Sequence, residues 1–533
     1  MPPKPFKLYT IEGLNYGDVI AEYRALCETG IKDFDDSGIS VTGPSELKYI
    51  VKKKPRKPLL DDTRILNKAK YVVHTIAYRQ QTDPEQSQEG ASVSMSILQD
   101  VIGEDATELT LSLIKTGHIT RSSVYQVGKF SRRYKALGTI VTEPCTNATI
   151  RKYIEHTKQI LSVNVAKRLS SPDFTDEYGG TFADTYIKNL NKFKIIDRKG
   201  FESYASEQIK ENPQTEAYYD FIRTSFEGKL RIYSIDANNR IYHILTSLKR
   251  ELKQYVNIRF SIDCSNSHPL LFNYFIFINR QISPTTAYRI SEALSNHKNL
   301  HILSEDHSHP TSNVYFVSNG AGSDATADKT LYDTGKLRNI LISSGIDRSE
   351  IDRLKSDEIL YIWKTSGGFF WDDVLRRHTG NALSRAEIKQ TMFAQVFYSK
   401  TTEDVWKEYG REFKAEYPNV YDLILRWKAP LSNPDTKAVL LRRNKAVELG
   451  NRAWMKDETT ALPNVMMDLE SVIFRDILQA LFRKRISAVH IHDAIVIPAV
   501  KGTANIDPEQ ICEVMRHAYR RFGLCPTLKV ETY

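Results

Sequence analysis

Three acidic and basic side chains, Asp263, Lys389 and Asp493, stand in stretches whose patterns suit chemistry on a charged substrate. Around the first, Val256, Ile258, Phe260 and Ile262 alternate with Asn257, Arg259, Ser261 and Asp263, the period of a strand buried on one face. Asp263 therefore ends a strand on its polar side. A carboxylate there, followed by the small-residue turn Cys264-Ser265-Asn266-Ser267-His268, is placed to hold a divalent cation at the mouth of a sheet. The Cys264 carbonyl could add a second oxygen. The same Asp could instead cap the next helix, and from this segment alone capping is the simpler reading.

The second stretch is Ser384-Arg385-Ala386-Glu387-Ile388-Lys389-Gln390-Thr391-Met392-Phe393-Ala394-Gln395-Val396-Phe397-Tyr398. Ser384 and Glu387 make an S-x-x-E capping box, so the spacing predicts a helix from Arg385. At about 100° per residue, Arg385, Lys389 and Phe393 share an arc of about 80°, with Phe397 just beyond it and Tyr398 turned away. Two cations followed by two rings suit a nucleoside triphosphate, the cations for phosphates and a ring for base or sugar. An ordinary amphipathic helix with a basic first turn, its phenylalanines in a core, has the same pattern.

The third stretch, Ser487 to Pro498, has two short apolar runs flanking His492-Asp493, which reads as a hairpin with a carboxylate at its tight bend. Asp493 would then face Asp263 across a small sheet. Alone, a polar tip is what any hairpin offers.

These elements must be supported by a body large enough to bury them. The chain has 533 residues, enough for two or three domains, and 41% hydrophobic residues with 28 tyrosines exclude a disordered or collagen-like chain. A membrane-spanning apolar run and a signal-peptide apolar core are absent, so a cytoplasmic location, or a nuclear one in a eukaryotic host, is expected. Cys27, Cys145, Cys264, Cys512 and Cys525 are scattered without zinc-site spacing and read as reduced thiols. A net charge of +9 is compatible with a polyanionic partner.

Taken in order, a strand ending in Asp263, a helix with R-x-x-x-K-x-x-x-F-x-x-x-F and a hairpin carrying His492-Asp493 resemble motifs A, B and C of the A-family DNA polymerases and the phage-type single-subunit RNA polymerases. Residues 462–473 are similar to the helix that supports primer and template in that family, and the resemblance spans residues 236 to 500 or so. It implies an α+β fold, with a right-hand palm and fingers core of a small antiparallel sheet with helices, and a carboxy-terminal extension, over residues 236–533. A mixed, mostly helical region of unread role would precede it over residues 1–235.

The resemblance further implies a template-directed nucleotidyltransferase using two Mg²⁺ ions, or Mn²⁺, held by Asp263, Asp493 and the Cys264 carbonyl. Lys389 would contact the triphosphate and protonate the pyrophosphate, Arg385 would bind the outer phosphates, and Phe393, Phe397 and His268 would surround the nucleotide. His492 would sit near the primer end, with Arg240 and Glu470 along primer or template. The expected partners are a nucleic-acid template and primer and nucleoside triphosphates, with no membrane. The expected activity is a DNA polymerase of a virus or mobile element. Alternatives are a single-subunit RNA polymerase or primase, and a non-catalytic nucleic-acid-binding replication or structural protein with the same fold. The chain departs from the family at His268, where DNA polymerases have Glu, at Phe397-Tyr398, where Tyr-Gly is usual, and at Ala494, where Glu is frequent.

Other stretches suggest less. Lys52-Lys53-Lys54-Pro55-Arg56-Lys57 could touch phosphates, direct nuclear import or lie solvated. Glu305, Asp306, His307 and His309 could bind a transition metal or form a hydrated loop. Asp33, Asp35 and Asp36 lack the companion motifs of a nuclease, so no proofreading exonuclease is expected, and no phosphate-binding P-loop is present. Residues 80–90 and 304–329 read as loops, the second enclosing a strand-like VYFV, and helices are expected near Ser92–Ile102 and Asn147–Ser162.

Overall fold

The computed structural model describes residues 5–30, 55–59, 61–82, 90–121, 133–170, 182–236, 239–297, 314–316, 331–377, 384–398, 408–428 and 461–533. Asp33, Asp35, Asp36, Lys52 to Lys54, Glu305, Asp306, His307 and His309 lie outside the described residues, as do most of both expected loops. Within the second, Val314–Phe316 is a strand and pairs with Leu331–Asp333. Among the described residues no helix is long and apolar enough to cross a membrane.

The chain divides into two compact units, the first from Met1–Ser171, Lys194–Ile235 and Ile241–Val256, the second from Pro172–Phe193, Asp236–Arg240 and Asn257–Tyr533. Residue 235, the expected boundary, is one of several points at which the chain passes from one unit to the other.

The first unit is mixed. Strand β1 (Phe6–Ile11) pairs antiparallel with β2 (Ile140–Cys145), and helix α1 (Asp62–Thr82) packs on β1. Helix α1 is buried on most sides, and Ile65, Val72 and Ile76 join Tyr23, Leu109 and Leu113 in one apolar cluster. Its buried Lys68 pairs with Asp105, which also accepts from Arg56 and from Tyr23 at 2.6 Å. Arg56, the one arginine of the basic cluster, is thus engaged with Asp105 and Glu108 inside this unit. Helix α2 (Ala148–Leu169) begins where expected, because the Asn147 side chain accepts from the Thr149 and Ile150 amides. The expected helix near residue 92 starts later, over Met95–Ile102.

The second unit is built on a four-stranded antiparallel sheet in the order β4 (Val489–Ile491), β5 (Ala494–Pro498), β3 (Ile258–Cys264) and β6 (Leu528–Thr532). The alternation read around Asp263 becomes β3, with Phe260, Ile262 and Cys264 buried on one face. Helix α4 (Ser267–Asn279) follows directly, and its run Leu270-Leu271-Phe272 with Phe275 and Ile276 is fully buried. Helix α6 (Arg385–Met392) and the long helix α8 (Ala461–Arg483) complete the surroundings of the sheet's polar end, with α8 packing on α4 and β4. Helix α3 (Phe182–Leu190) also packs on β4, while α7 (Glu408–Glu416) packs on α6 and on the residues that follow it through Phe413 against Phe397, and α5 (Ser356–Ser366) meets α7 through Tyr361 against Phe413.

Candidate active site

Asp263 and Asp493 lie at the same end of neighbouring strands. Asp263 pairs in register with Ala494, and the Cys264 amide donates to the Asp493 carbonyl at 3.1 Å. The hairpin bends at His492-Asp493, and His492 takes a left-handed φ of 52°, a conformation the two-residue turn needs. Asp263 does not cap α4, which begins after Asn266, so the capping alternative is set aside. Burial and then the charge of Asp493 push the Asp263 carboxyl up to about 7, against a lowering by Lys389. Asp493 is also raised, by burial first and then by Glu470, again against Lys389. Two half-buried carboxylates therefore share one site, with Lys389 acting on both.

Helix α6 forms where the capping box demands. Ser384 Oγ accepts from the Glu387 amide, and Glu387 Oε2 accepts from the Ser384 amide at 2.7 Å. Lys389 is exposed, with its ammonium 5.9 Å from the Phe393 ring centre and 6.0 Å from that of Trp371. The Arg385 side chain lies outside the described residues.

Beyond Phe393 the helix departs from the α-period. Residues Phe393–Phe397 form a π-turn, closed by the Tyr398 amide donating to the Phe393 carbonyl at 2.8 Å. One extra residue in the turn rotates everything after it by about 100° relative to an α-helix. Tyr398, expected to turn away, instead stacks on Phe393 with ring centres 5.2 Å apart and planes 17° apart. Phe397, expected beside the nucleotide, is fully buried and packs against Phe272 and Phe413. This corrects its assignment, because the π-turn hands Phe397 to the core and Tyr398 to the face that carries Phe393.

His268 lies edge-on to both rings, at 5.6 Å from Phe393 and 5.9 Å from Tyr398, and its Nδ1 hydrogen-bonds the Tyr398 hydroxyl. Its Nε2 is 3.2 Å from Arg240 Nη2 and 3.5 Å from Glu470 Oε1. Glu470 is buried among Arg240, His268 and Ser267, whose Oγ donates to it at 3.1 Å. Burial alone would raise the Glu470 carboxyl, but Arg240, His268 and Ser267 hold it well below the usual range. Its carboxylate therefore faces protein groups, not an open groove, which corrects its expected contact with nucleic acid. Arg240 is likewise engaged with Glu470, and only His492 of the three expected nucleic-acid contacts is exposed. His490, one strand position from the bend, is buried with Nδ1 3.2 Å from the Tyr186 hydroxyl, and burial pushes its imidazole down to about 4.

Three features escaped the reading of the sequence. Strand β6 sets Lys529 opposite Asp263 and Glu531 opposite Ser261, and the alternation of Leu528, Val530 and Thr532 with these two was the available signal. Ser265 Oγ and Asn266 Nδ2, at the start of α4, are buried polar atoms with no hydrogen-bond partner among the described residues. The third is Tyr398.

No family model matches the chain, and no curated protein matches it. Among solved structures it is weakly similar to the POL domain of Pol1 from M. smegmatis in complex with DNA primer-template and dNTP, at 10% identity and a TM-score of 0.23. The match covers 63% of this chain and 55% of that one, so the chain spans about half the length of that structure.

Proposed function

We propose that the second unit catalyses template-directed nucleotidyl transfer, joining a nucleoside triphosphate to a nucleic-acid 3′ end. The observation that supports this best is the register of Asp263 against Ala494, with Asp493 bound to Cys264 through the backbone. Two carboxylates raised by burial and by neighbouring negative charge are short of positive charge, which Lys389 only partly supplies. A divalent cation fits that deficit. Among the described residues no three His, Cys, Asp or Glu side chains gather as a metal cage. That suits Mg²⁺ or Mn²⁺, which take one or two carboxylates and complete their shell with water and substrate phosphate oxygens.

Asp263, Asp493 and the Cys264 carbonyl would hold the ions. When bound, a pair of such ions supplies charge stabilisation to the attacking and leaving oxygens. Lys389 would attract the triphosphate and give a proton to the pyrophosphate oxygen as its bond to the α-phosphorus breaks; the 3′ oxygen forms its bond to that phosphorus as its own proton leaves to water, and Lys389 then regains a proton from water. The unpartnered Ser265 hydroxyl and Asn266 amide, beside the first turn of α4, can donate to phosphate oxygens. Phe393 offers an apolar surface to the nucleotide next to Lys389.

DNA synthesis is the first reading of the product. His268 and the paired Phe393 and Tyr398 rings leave a 2′-hydroxyl against surfaces where its hydrogen bonds are lost. RNA synthesis is the second, because Tyr398 brings to this face a hydroxyl that Phe397 lacks. Extension of a labelled primer on templates of defined sequence tests the proposal. Incorporation should follow the template base and require a divalent cation, and incorporation indifferent to the template would refute it.

A further inference from the structure

Resting on the nucleotidyl-transfer reading, we propose that Trp371 is a positioning residue that, together with Phe393, seats the Lys389 ammonium where it meets the incoming triphosphate. Lys389 is exposed and, among the described residues, makes no hydrogen bond or ion pair. A lysine on such a surface samples many rotamers, and fixing it only when substrate arrives costs affinity. Here two rings flank it. Its Nζ lies over Phe393 at 5.9 Å and over Trp371 at 6.0 Å from the ring centres. Ring faces attract a cation, and tryptophan does so best of the aromatic side chains.

Phe393 reaches Lys389 through the helix itself, since it sits one turn further on along the same face. Trp371 comes from another element, the helix Phe370–Arg377, which packs on α6. Its ring meets Phe393 edge-on at 5.1 Å and 61°, and Phe370 at 5.0 Å and 80°. Trp371 is 2% exposed, and its Nε1 is buried with no hydrogen-bond partner among the described residues. An unmet indole N–H is a cost that phenylalanine or leucine at this position would avoid, so what the indole contributes here is its ring face.

The helix that carries Trp371 is tied down next to the ring. Asp373 accepts from the fully buried Lys364 of α5 at 2.7 Å, and Lys364 also donates to Glu416 of α7 at 2.5 Å. A shift of the helix that parted Asp373 from Lys364 would strand buried charge, so the three helices keep one arrangement. The contacts run from Lys364 through Asp373 and Trp371 to Lys389, and only the last of these would touch substrate.

Single-turnover incorporation by the full chain, on a preformed primer-template and over a range of triphosphate concentrations, tests the proposal. The proteins compared are wild type, Trp371→Leu, Lys389→Met, the double variant, and chains with and without Lys389→Met in which Trp371 is replaced by a ring-fluorinated tryptophan. Fluorine draws electron density from the ring face and leaves its shape nearly unchanged, so it weakens attraction for a cation and spares the packing. Incorporation rate divided by apparent triphosphate dissociation constant should fall about fivefold in Trp371→Leu and about threefold with the fluorinated ring, the scale of one exposed cation–π contact. In the Lys389→Met background neither change should lower it further, because the ring acts through the ammonium. Equal losses with and without Lys389 would mean that only packing was lost, and overturn the proposal. Wild-type incorporation by the chain with the fluorinated ring overturns it too, whether or not Trp371→Leu folds. A wild-type protein that incorporates no nucleotide overturns the nucleotidyl-transfer reading itself, and the seat with it.

Discussion

Acidification should destabilise the first unit through a single buried imidazole. His74 lies on α1, and its Nδ1 accepts from the Tyr9 amide of β1 at 3.1 Å, a bond that a proton on Nδ1 would abolish. Burial, and then the charge of Lys158, lowers its pKa from 6.5 to about 4. The unfolded chain therefore takes up this proton near pH 6.5 and the folded one only near pH 4. Between those values the unfolded state binds more protons, so stability falls as the pH falls; above 6.5 the contribution is complete, and below 4 it is gone. A shift of this size at about 1.36 kcal/mol per unit amounts to roughly 3 kcal/mol. Urea unfolding at pH 7, 5.5 and 4 measures it, with His74→Gln as the reference that removes this titration while other groups remain. The wild-type advantage over the variant should shrink by roughly 3 kcal/mol across the interval. Parallel stability curves for the two proteins would refute the argument.

Further outcomes follow from the same structure. Lys364 is fully buried on α5, bonded to Asp373 at 2.7 Å and to Glu416, so Lys364→Met should cost about 3 to 5 kcal/mol by leaving two carboxylates facing each other, read as a fall in thermal midpoint. Cation uptake should release a proton near neutral pH, because the raised Asp263 carboxyl is part-protonated there. Calorimetric titration with Mn²⁺ in buffers of different ionisation enthalpy should find affinity rising with pH up to about 7, with the dependence lost in Asp263→Asn. Gly368 has a φ of +81° and a Cβ there would sit 2.8 Å from the Thr527 side chain, so Gly368→Ala should destabilise by more than about 1 kcal/mol in chemical unfolding.

Local pattern was enough for the parts of the site that depend on local backbone. The period-two alternation gave β3, the two apolar runs around His492-Asp493 gave the hairpin, and the Ser384–Glu387 box gave the start of α6 to the residue. Each is a signal contained within a few neighbouring residues. The end of α6 was not legible, because a π-turn is one extra residue in a hydrogen-bond register and leaves no mark in the hydrophobic period. Counting at 100° per residue therefore chose Phe397 where the structure presents Tyr398. Nothing local pairs Glu470 with Arg240, since 230 positions separate them and only the fold brings them together. Strand β6 was legible in its alternation, yet nothing local says that it pairs with a strand more than two hundred residues earlier.

In the proposed reaction Asp263 and Asp493 act together on one incoming nucleotide. Single-turnover incorporation on a preformed primer-template tests it, with template affinity measured alongside by anisotropy. Asp263→Asn and Asp493→Asn should each lower the incorporation rate by at least about a thousandfold while template affinity stays within a few-fold of wild type, because affinity for a polyanion comes from Lys and Arg contacts to its phosphates, which neither substitution removes. Near-wild-type incorporation by either variant would contradict the account.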